Sequence, residues 1–247
     1  MIEFRHVSKS FDDKPVLVDI DLVLKDHEIT YIIGTSGTGK SVLMKHAVGL
    51  LKPDSGRILI DSKDMTDASE EEWYQVRRRY LMVFQHPALF DSMPVIANVA
   101  LPLMKHYKLD RRKAYAEAMN YLQMVGLDEK AWKLPSEVAI TERKKVSIAR
   151  ALAVQAQCII LDEPTTGLDV YSSASIDKLM MNLAHELKKT VVVISHDLRS
   201  ILNVAQRVVL LYKGKVHLDG EPKDFLATKD PIARQFMRGE AHGPMET

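Results

Sequence analysis

The 247-residue chain carries 34 basic and 33 acidic side chains, a net charge of +1, so no global field draws it to nucleic acid or to an acidic membrane surface. With 46% apolar residues it can bury the interior of one large α/β domain or of a core with a subdomain. The single cysteine, Cys158, has no disulfide partner, which fits a reducing compartment. Its neighbours Ile159-Ile160-Leu161 mark it as a small core side chain. Met1-Ile2-Glu3-Phe4-Arg5 has no signal-peptide pattern, and no apolar run approaches the roughly 18 residues a spanning helix needs.

Along the chain, short β-type runs alternate with helical stretches. Residues 16–24 alternate in polarity at Asp19 and Asp21, and 29–33 is apolar apart from Thr30. Residues 58–60 follow the turn Lys52-Pro53-Asp54-Ser55-Gly56, completing an N-terminal β-rich part. Ser69-Glu70-Glu71-Glu72 has a capping-box pattern and starts a charged helix expected to reach residue 79. Residues 80–84 then read as a strand that delivers Gln85 to its end. Strand signals disappear over 90–156; within it, 110–125 repeats Ala114, Ala118, Tyr121, Leu122 and Val125 at helical spacing and closes at Gly126. This stretch is predicted to be a helical subdomain. Strands return at 158–161 and 190–194, separated by a helix over 172–188, and a hairpin of 207–212 and 215–218 turns at Gly214.

Gly34-Thr35-Ser36-Gly37-Thr38-Gly39-Lys40-Ser41 fits G-x-x-x-x-G-K-[ST] without a mismatch. It follows Tyr31-Ile32-Ile33 and opens the apolar stretch Val42-Leu43-Met44, the strand–loop–helix context of a phosphate-binding P-loop. The glycines let backbone N–H groups close around a polyphosphate, Lys40 supplies a point charge, and the Ser41 hydroxyl can coordinate Mg²⁺. The following helix aims its positive end at the anion. ATP or GTP is the implied ligand. A second element, Cys158-Ile159-Ile160-Leu161-Asp162-Glu163, describes a buried parallel strand that delivers two carboxylates into a crevice at its C-terminal end. Asp162 would hold Mg²⁺, directly or through water, and Glu163 would orient or deprotonate the water that attacks the γ-phosphate.

The ordered set of P-loop, Gln85, Leu161-Asp162-Glu163-Pro164, Gly167-Leu168-Asp169 and Ser195-His196-Asp197 resembles the nucleotide-binding subunit of ABC transporters over nearly the whole chain. The resemblance implies an α/β P-loop NTPase (ABC ATPase) core with an N-terminal antiparallel β subdomain and an inserted helical subdomain. Its single domain would span 1–247, with core segments 1–89 and 157–230, the helical subdomain at 90–156 and a C-terminal tail at 231–247. It further implies that ATP and Mg²⁺ are bound, with nucleotide contacts running through the P-loop to Val42. Gln85 would touch Mg²⁺ and the attacking water, His196 the γ-phosphate; Asp169 would communicate across a dimer, and Phe11 would stack on adenine.

Two further runs resemble the Mla-type lipid-transport ATPases: Pro87-Ala88-Leu89-Phe90-Asp91-Ser92-Met93-Pro94-Val95 with Asn98-Val99-Ala100-Leu101-Pro102-Leu103, and Arg234-Gln235-Phe236-Met237-Arg238-Gly239-Glu240-Ala241-His242-Gly243-Pro244. That resemblance implies a pair of such subunits beneath an integral-membrane permease, engaged through residues 85–94, on the cytoplasmic face of a bacterial inner membrane. An MCE lipid-binding protein would take part indirectly, phospholipid would be the cargo, and nucleic acid would not be a partner.

One family element is missing. The well-matched run Val146-Ser147-Ile148-Ala149-Arg150-Ala151-Leu152 sets a register in which a signature close to L-S-G-G-Q should stand at Val138-Ala139-Ile140-Thr141-Glu142. In the family that serine and those glycines cap the γ-phosphate on the opposite subunit's P-loop. Ala139 has no hydroxyl to donate, and Ile140 puts a β-branched side chain where glycine lets backbone approach phosphate. Thr141 can restore one hydroxyl contact from a shifted position, and the helix dipole still attracts an anion. Arg143, Lys144 and Lys145 read as a solvated helix face. His27-Glu28 is a smaller departure, at a place where a glycine often precedes the glutamate. A homodimer would have two weakened sites, whereas a heterodimer with an intact second ATPase would have one competent site. The Mla resemblance favours the homodimer; the heterodimer stays open on the local chemistry, as does an ATP-gated regulatory subunit that hydrolyses weakly.

Overall fold

The computed structural model describes residues 1–240 and 242–245. Three strands come first, β1 at Ile2–Phe11, β2 at Lys14–Leu24 and β3 at Ile29–Ile33, before helix α1 at Lys40–Ala47. β4 (Ser55–Ile60) and the short β5 (Lys63–Asp64) precede α2 at Glu70–Arg77 and β6 at Tyr80–Val83. Three helices follow with no strand between them: α3 at Val95–His106, α4 at Arg111–Met124 and α5 at Ile140–Ala153. The chain then runs through β7 (Cys158–Asp162), α6 (Val170–His185), β8 (Thr190–Ile194) and α7 (Leu198–Val204). The hairpin β9 (Arg207–Tyr212) and β10 (Lys215–Gly220) leads to α8 at Pro222–Ala227 and α9 at Pro231–Arg238.

Local chemistry sets most boundaries. At the start of α2 the Glu72 N–H donates to Ser69 Oγ at 3.3 Å and the Ser69 N–H donates to Glu72 Oε2 at 2.9 Å, so both halves of the capping box form. Asp110 caps α4 by accepting from the Lys113 N–H at 3.0 Å, and the helix closes at Gly126, whose φ is 70°. Ala114, Ala118, Leu122 and Val125 bury the face expected of them, and Tyr121 packs against the same core. Helix α6 starts two residues before Ser172 because the Asp169 carboxylate accepts from the N–H groups of Tyr171 and Ser172 at 2.9 and 3.0 Å.

The strands form two sheets. A four-stranded antiparallel sheet has the order β2-β1-β4-β5, and a six-stranded sheet has the order β10-β9-β3-β8-β7-β6. In the second sheet β9, β3, β8, β7 and β6 are parallel, and β10 returns antiparallel to β9. Its inner strands are apolar along most of their length and largely buried because both faces are covered. Successive side chains serve opposite cores: Ile159, Leu161, Val191 and Val193 join the helical subdomain, α6 and α7. Cys158, Ile160, Val192 and Ile194 join α1 and the antiparallel sheet. Truncating a fully buried Ile160 to alanine would cost about 2–5 kcal/mol, enough to loosen the strand that carries Asp162. Cys158 is a core residue as read, and burial pushes its thiol pKa up to about 12.

Five elements, β1, β5, α7, α8 and α9, were not read from the sequence. Strand β1 pairs between β2 and β4 with register shifts at Phe4/Val7, Val7/Lys9 and Lys9/Ser10, and these bulges break the alternation that would have announced it. The segment 231–247, expected as a tail, begins instead as helix α9. Pro231 follows the N-cap Asp230, which accepts from the Ala233 N–H at 2.8 Å, and Gly239 closes the helix in the left-handed region. Beyond it the Met245 N–H donates to Gln235 Oε1 at 2.6 Å. Ala241, within the second Mla-like run, lies outside the described residues.

Candidate functional site

Four parallel strands end at one edge. Ile32 pairs with Ile194, Asp162 with Ile194, and Val83 with Leu161, so the chain leaves β3, β8, β7 and β6 at nearly one level. There it places the P-loop, Ser195-His196, Asp162-Glu163 and Gln85 respectively, the carboxyl edge at which open α/β sheets bind ligands. A cleft of ≈ 610 Å³ lies over this edge. Of the residues singled out from sequence, it is lined by Gly34, Thr35, Ser36, Gly37, Gly39, Lys40, Ser41, Val42, Gln85, Asp162, Glu163 and His196.

The P-loop conformation demands its glycines. Gly39, the N-cap of α1, has φ 91°, and a Cβ there would lie 2.8 Å from Leu17 Cδ2 and 2.9 Å from Val16 O. At Gly34 a Cβ would meet Leu211 O at 2.5 Å. Lys40 is only 8% exposed, and its ammonium donates to Gly34 O and Thr35 O at 2.9 and 2.8 Å. Burial lowers its pKa while the charges of Glu163 and Asp162 oppose that shift. The loop therefore holds a desolvated cation at its centre, positioned for a polyphosphate.

Ser41 Oγ donates to Asp162 Oδ1 at 3.1 Å. Burial raises the pKa of Asp162, the Ser41 hydrogen bond works against it, and the neighbouring Glu163 charge adds to the rise. A hydroxyl, a carboxylate and the Gln85 amide oxygen form a hard donor set, and these three could hold Mg²⁺. Glu163 takes a φ of 51°, unusual for a side-chain-bearing residue. Its N–H donates to Ile194 O at 2.9 Å, and one carboxylate oxygen accepts from Thr166 Oγ1 at 2.8 Å. The other lies 3.0 Å from His196 Nδ1. Carboxylate and imidazole can thus act on the same water or phosphate oxygen.

Three predicted residues lie outside this lining. Thr38 turns inward, its hydroxyl donating to Thr35 O at 2.9 Å. Asp169 is occupied as the α6 cap, and hydrogen bonds led by the Ser172 N–H lower its pKa. Phe11 sits exposed at the end of β1 with the Lys9 ammonium 5.5 Å from its ring centroid. Conversely, Val16, Thr166 and Phe236 line the cleft without having been chosen. Thr166 lies three residues beyond Glu163, a spacing that could have signalled its hydroxyl contact; Phe236 had no local signal.

The reading of Lys144 as part of a solvated helix face is overturned. It is only 6% exposed, because this side of α5 packs on the turn that follows β7 and offers the ammonium main-chain carbonyls there. In the segment at the signature position, Ala139 is the N-cap of α5 and makes no side-chain cap hydrogen bond. Its N–H donates to Glu142 Oε2 at 2.9 Å, and Lys130 pairs with Glu142. Ile140 is 43% exposed.

Beyond Gln85 along the chain, Asn98 holds the loop before α3. The Phe90 N–H donates to its Oδ1 at 2.8 Å, and its Nδ2 donates to Phe90 O and Met93 O at 3.2 and 3.0 Å. Leu89 packs on the core, whereas Phe90 is 52% exposed. A largely apolar cleft of ≈ 460 Å³ adjoins this loop, between the edge strand β6, α3 and α5. Among the described residues no helix is long and apolar enough to cross a membrane.

Residues 17–166 match the family described as ABC transporter. The chain is 34% identical over 244 residues to the "Probable ribonucleotide transport ATP-binding protein mkl" of Mycobacterium leprae (strain TN), covering 99% of this chain and 70% of that protein. It is 35% identical over 245 residues to the "Intermembrane phospholipid transport system ATP-binding protein MlaF" of Escherichia coli (strain K12), covering 99% of this chain and 91% of that one. The fold is similar to the dimeric post-hydrolysis structure of the ATP-binding cassette MJ0796 bound to ADP and Pi, with TM-score 0.82 and 30% identity over 90% of this chain and 98% of that one.

Proposed function

Because the chain belongs to the ABC transporter family and is an ATP-binding, ATP-hydrolysing subunit, we propose that it drives phospholipid movement between bacterial membranes. The observation that carries the site is the convergence of the P-loop, Gln85, Asp162, Glu163 and His196 on one cleft. Lys40 and the loop amides neutralise the phosphates, and Glu163 orients or deprotonates the attacking water. His196 contacts the γ-phosphate and shares the water with Glu163. Ser41, Asp162 and Gln85 would hold Mg²⁺, which would supply charge neutralisation to the nucleotide's phosphates.

Two such subunits close on nucleotide, with a permease engaged at residues 85–94 and an MCE lipid-binding protein acting beyond it. The exposed Phe90 and the adjoining apolar cleft support the permease placement. The likeness to MlaF over 99% of the chain supports the phospholipid cargo, and a ribonucleotide cargo is the alternative suggested by mkl. The position is peripheral, on the cytoplasmic face of the inner membrane.

The test is co-purification from the native membrane followed by reconstitution. Recovery of a permease and an MCE protein, with ATP-dependent transfer of labelled phospholipid between vesicles, is the expected result. ATP-dependent ribonucleotide uptake without lipid transfer would replace the proposed cargo. A second reading rests on the hydroxyl-free N-cap at Ala139 and the exposed Ile140. In that reading the chain pairs with a different ATPase that carries an intact signature, and the purified complex contains two ATPases in equal amounts.

A further inference from the structure

Lys144 lies on the inner side of α5, and its hydrogen-bond partners are all main-chain oxygens. Its ammonium donates to Glu163 O at 3.2 Å, Pro164 O at 2.9 Å and Thr166 O at 2.9 Å. An ammonium has three donors and no acceptor, so the three carbonyls use its full capacity. They belong to the turn in which Glu163 departs from ordinary strand geometry, at φ 51°. That conformation carries a backbone cost and persists only where surrounding contacts over-determine it. Around Glu163 those contacts are the N–H bond to Ile194 O, the Thr166 hydroxyl and His196 on its carboxylate, and the Thr166 N–H and the Lys144 ammonium on its own carbonyl.

From this cage we infer that Lys144 is a positioning residue for hydrolysis, holding the Glu163–Thr166 turn so that the Glu163 carboxylate stays on the attacking water. The inference rests on the reading of Glu163 as the water-directing carboxylate. Lys144 does not line the nucleotide cleft, so it acts through Glu163 and not on ATP. It also joins two parts of the molecule. Lys144 stands in the second turn of the helix whose first residue is Ile140, so a shift of that helix end pulls directly on the turn bearing Glu163. Helix α5 and the catalytic carboxylate are thereby coupled within one chain, through a contact between residues 19 positions apart.

The experiment is a double-mutant cycle on the full-length chain in its transporter complex, with Lys144→Met, Glu163→Gln and the two combined. Methionine keeps the length and apolar stem of the side chain and removes its three donors. Lys144→Met is expected to lower kcat at least about tenfold, equivalent to about 1.4 kcal/mol, while KM for MgATP and binding of a fluorescent ATP analogue change less than about twofold. In the Glu163→Gln background the same substitution should leave the residual rate within about twofold, because two residues that act as one unit are not additive. Lys144→Gln, which retains two N–H donors, should restore part of kcat. If Lys144→Met does not fold, as judged by thermal melting, Lys144→Leu carries the same cycle, since it too removes all three donors.

A kcat within about twofold of the parent, or an equal loss in both backgrounds, would overturn the positioning role. Hydrolysis by Glu163→Gln at the parent rate would instead remove the underlying reading of Glu163. That second result is distinct from a slow Glu163→Gln beside an unaffected Lys144→Met, which would sink only the role of Lys144.

Discussion

The nucleotide cleft and the start of α5 are built in opposite ways. At the cleft, side chains from three strand ends reinforce one another: Ser41 bonds Asp162, Thr166 bonds Glu163, and His196 reaches Glu163 from β8. At the start of α5, among the described residues, the one side-chain contact with a backbone donor is Glu142 accepting from Ala139, and the outward residue is Ile140. The first region derives its chemistry from a parallel sheet that brings distant segments to one edge. The second offers a phosphate only a helix N-terminus and, from a shifted position, the Thr141 hydroxyl. We propose that the chain's own half-site is complete and the half it presents to a partner is weakened.

The largest effect that could break this contrast lies at Glu163. Glu163→Gln should bind MgATP normally and hydrolyse it roughly 10²-fold or more slowly, the loss expected of a water-positioning group, as measured by single-turnover kinetics. Parent-rate turnover would mean that the cleft's chemistry runs through another group. Next in size, Lys40→Ala should weaken ATP binding by about 10- to 100-fold, from the loss of a charge-assisted hydrogen bond worth roughly 1.5–3 kcal/mol. Equilibrium titration with a fluorescent nucleotide reads it directly.

The weakened side is sharpened by restoring it. The triple change Ala139→Ser, Ile140→Gly and Thr141→Gly should raise the dimer-dependent ATPase rate about tenfold, if one phosphate contact forms. The opposing helix-propensity cost is up to roughly 1 kcal/mol per glycine in a helix interior, and it is smaller in the first turn, where these residues lie. Rate measured against protein concentration, with the permease present, separates catalysis from dimerisation. A fast parent that the change leaves unaltered would show that 138–142 already caps phosphate by another geometry.

The smallest expected effect is a pH dependence at Asp162. Its pKa is raised by burial, so Mg²⁺ competes with a proton above the ordinary aspartate value of about 4. Affinity for Mg²⁺ should climb with pH through that acid range and then level off. For the metal-free chain the sign is reversed. Within the window the folded state holds the proton more tightly than the unfolded state, so this group's contribution to stability falls as pH rises. Asp162→Asn should flatten both profiles, in Mg²⁺ titrations and in thermal melts.

The P-loop was legible because its function is local: eight consecutive residues make the loop, and strand and helix flank it in sequence. Buried parallel strands announced themselves as apolar runs, since covering both faces removes polar positions. The Ser69 capping box and the Gly126 stop are likewise contacts within a few residues. Such signals place Asp162, Gln85 and His196 at strand ends, and the motif order identifies the family.

Lys144 shows where local reading stops. In sequence it is the middle of three basic residues, and nothing nearby says which of them faces water. Only the packing of α5 on the turn after β7 puts its ammonium among three carbonyls. Phe236 enters the cleft for the same reason, carried there by a C-terminal helix far along the chain. Asp169 and Phe11 show the converse, since their side chains stand outside the cleft despite fitting the motif order. Hydrogen bonds and turns within a few residues are written in residue order; which distant surfaces meet depends on the summed burial of two cores, and no short stretch of chain contains that sum.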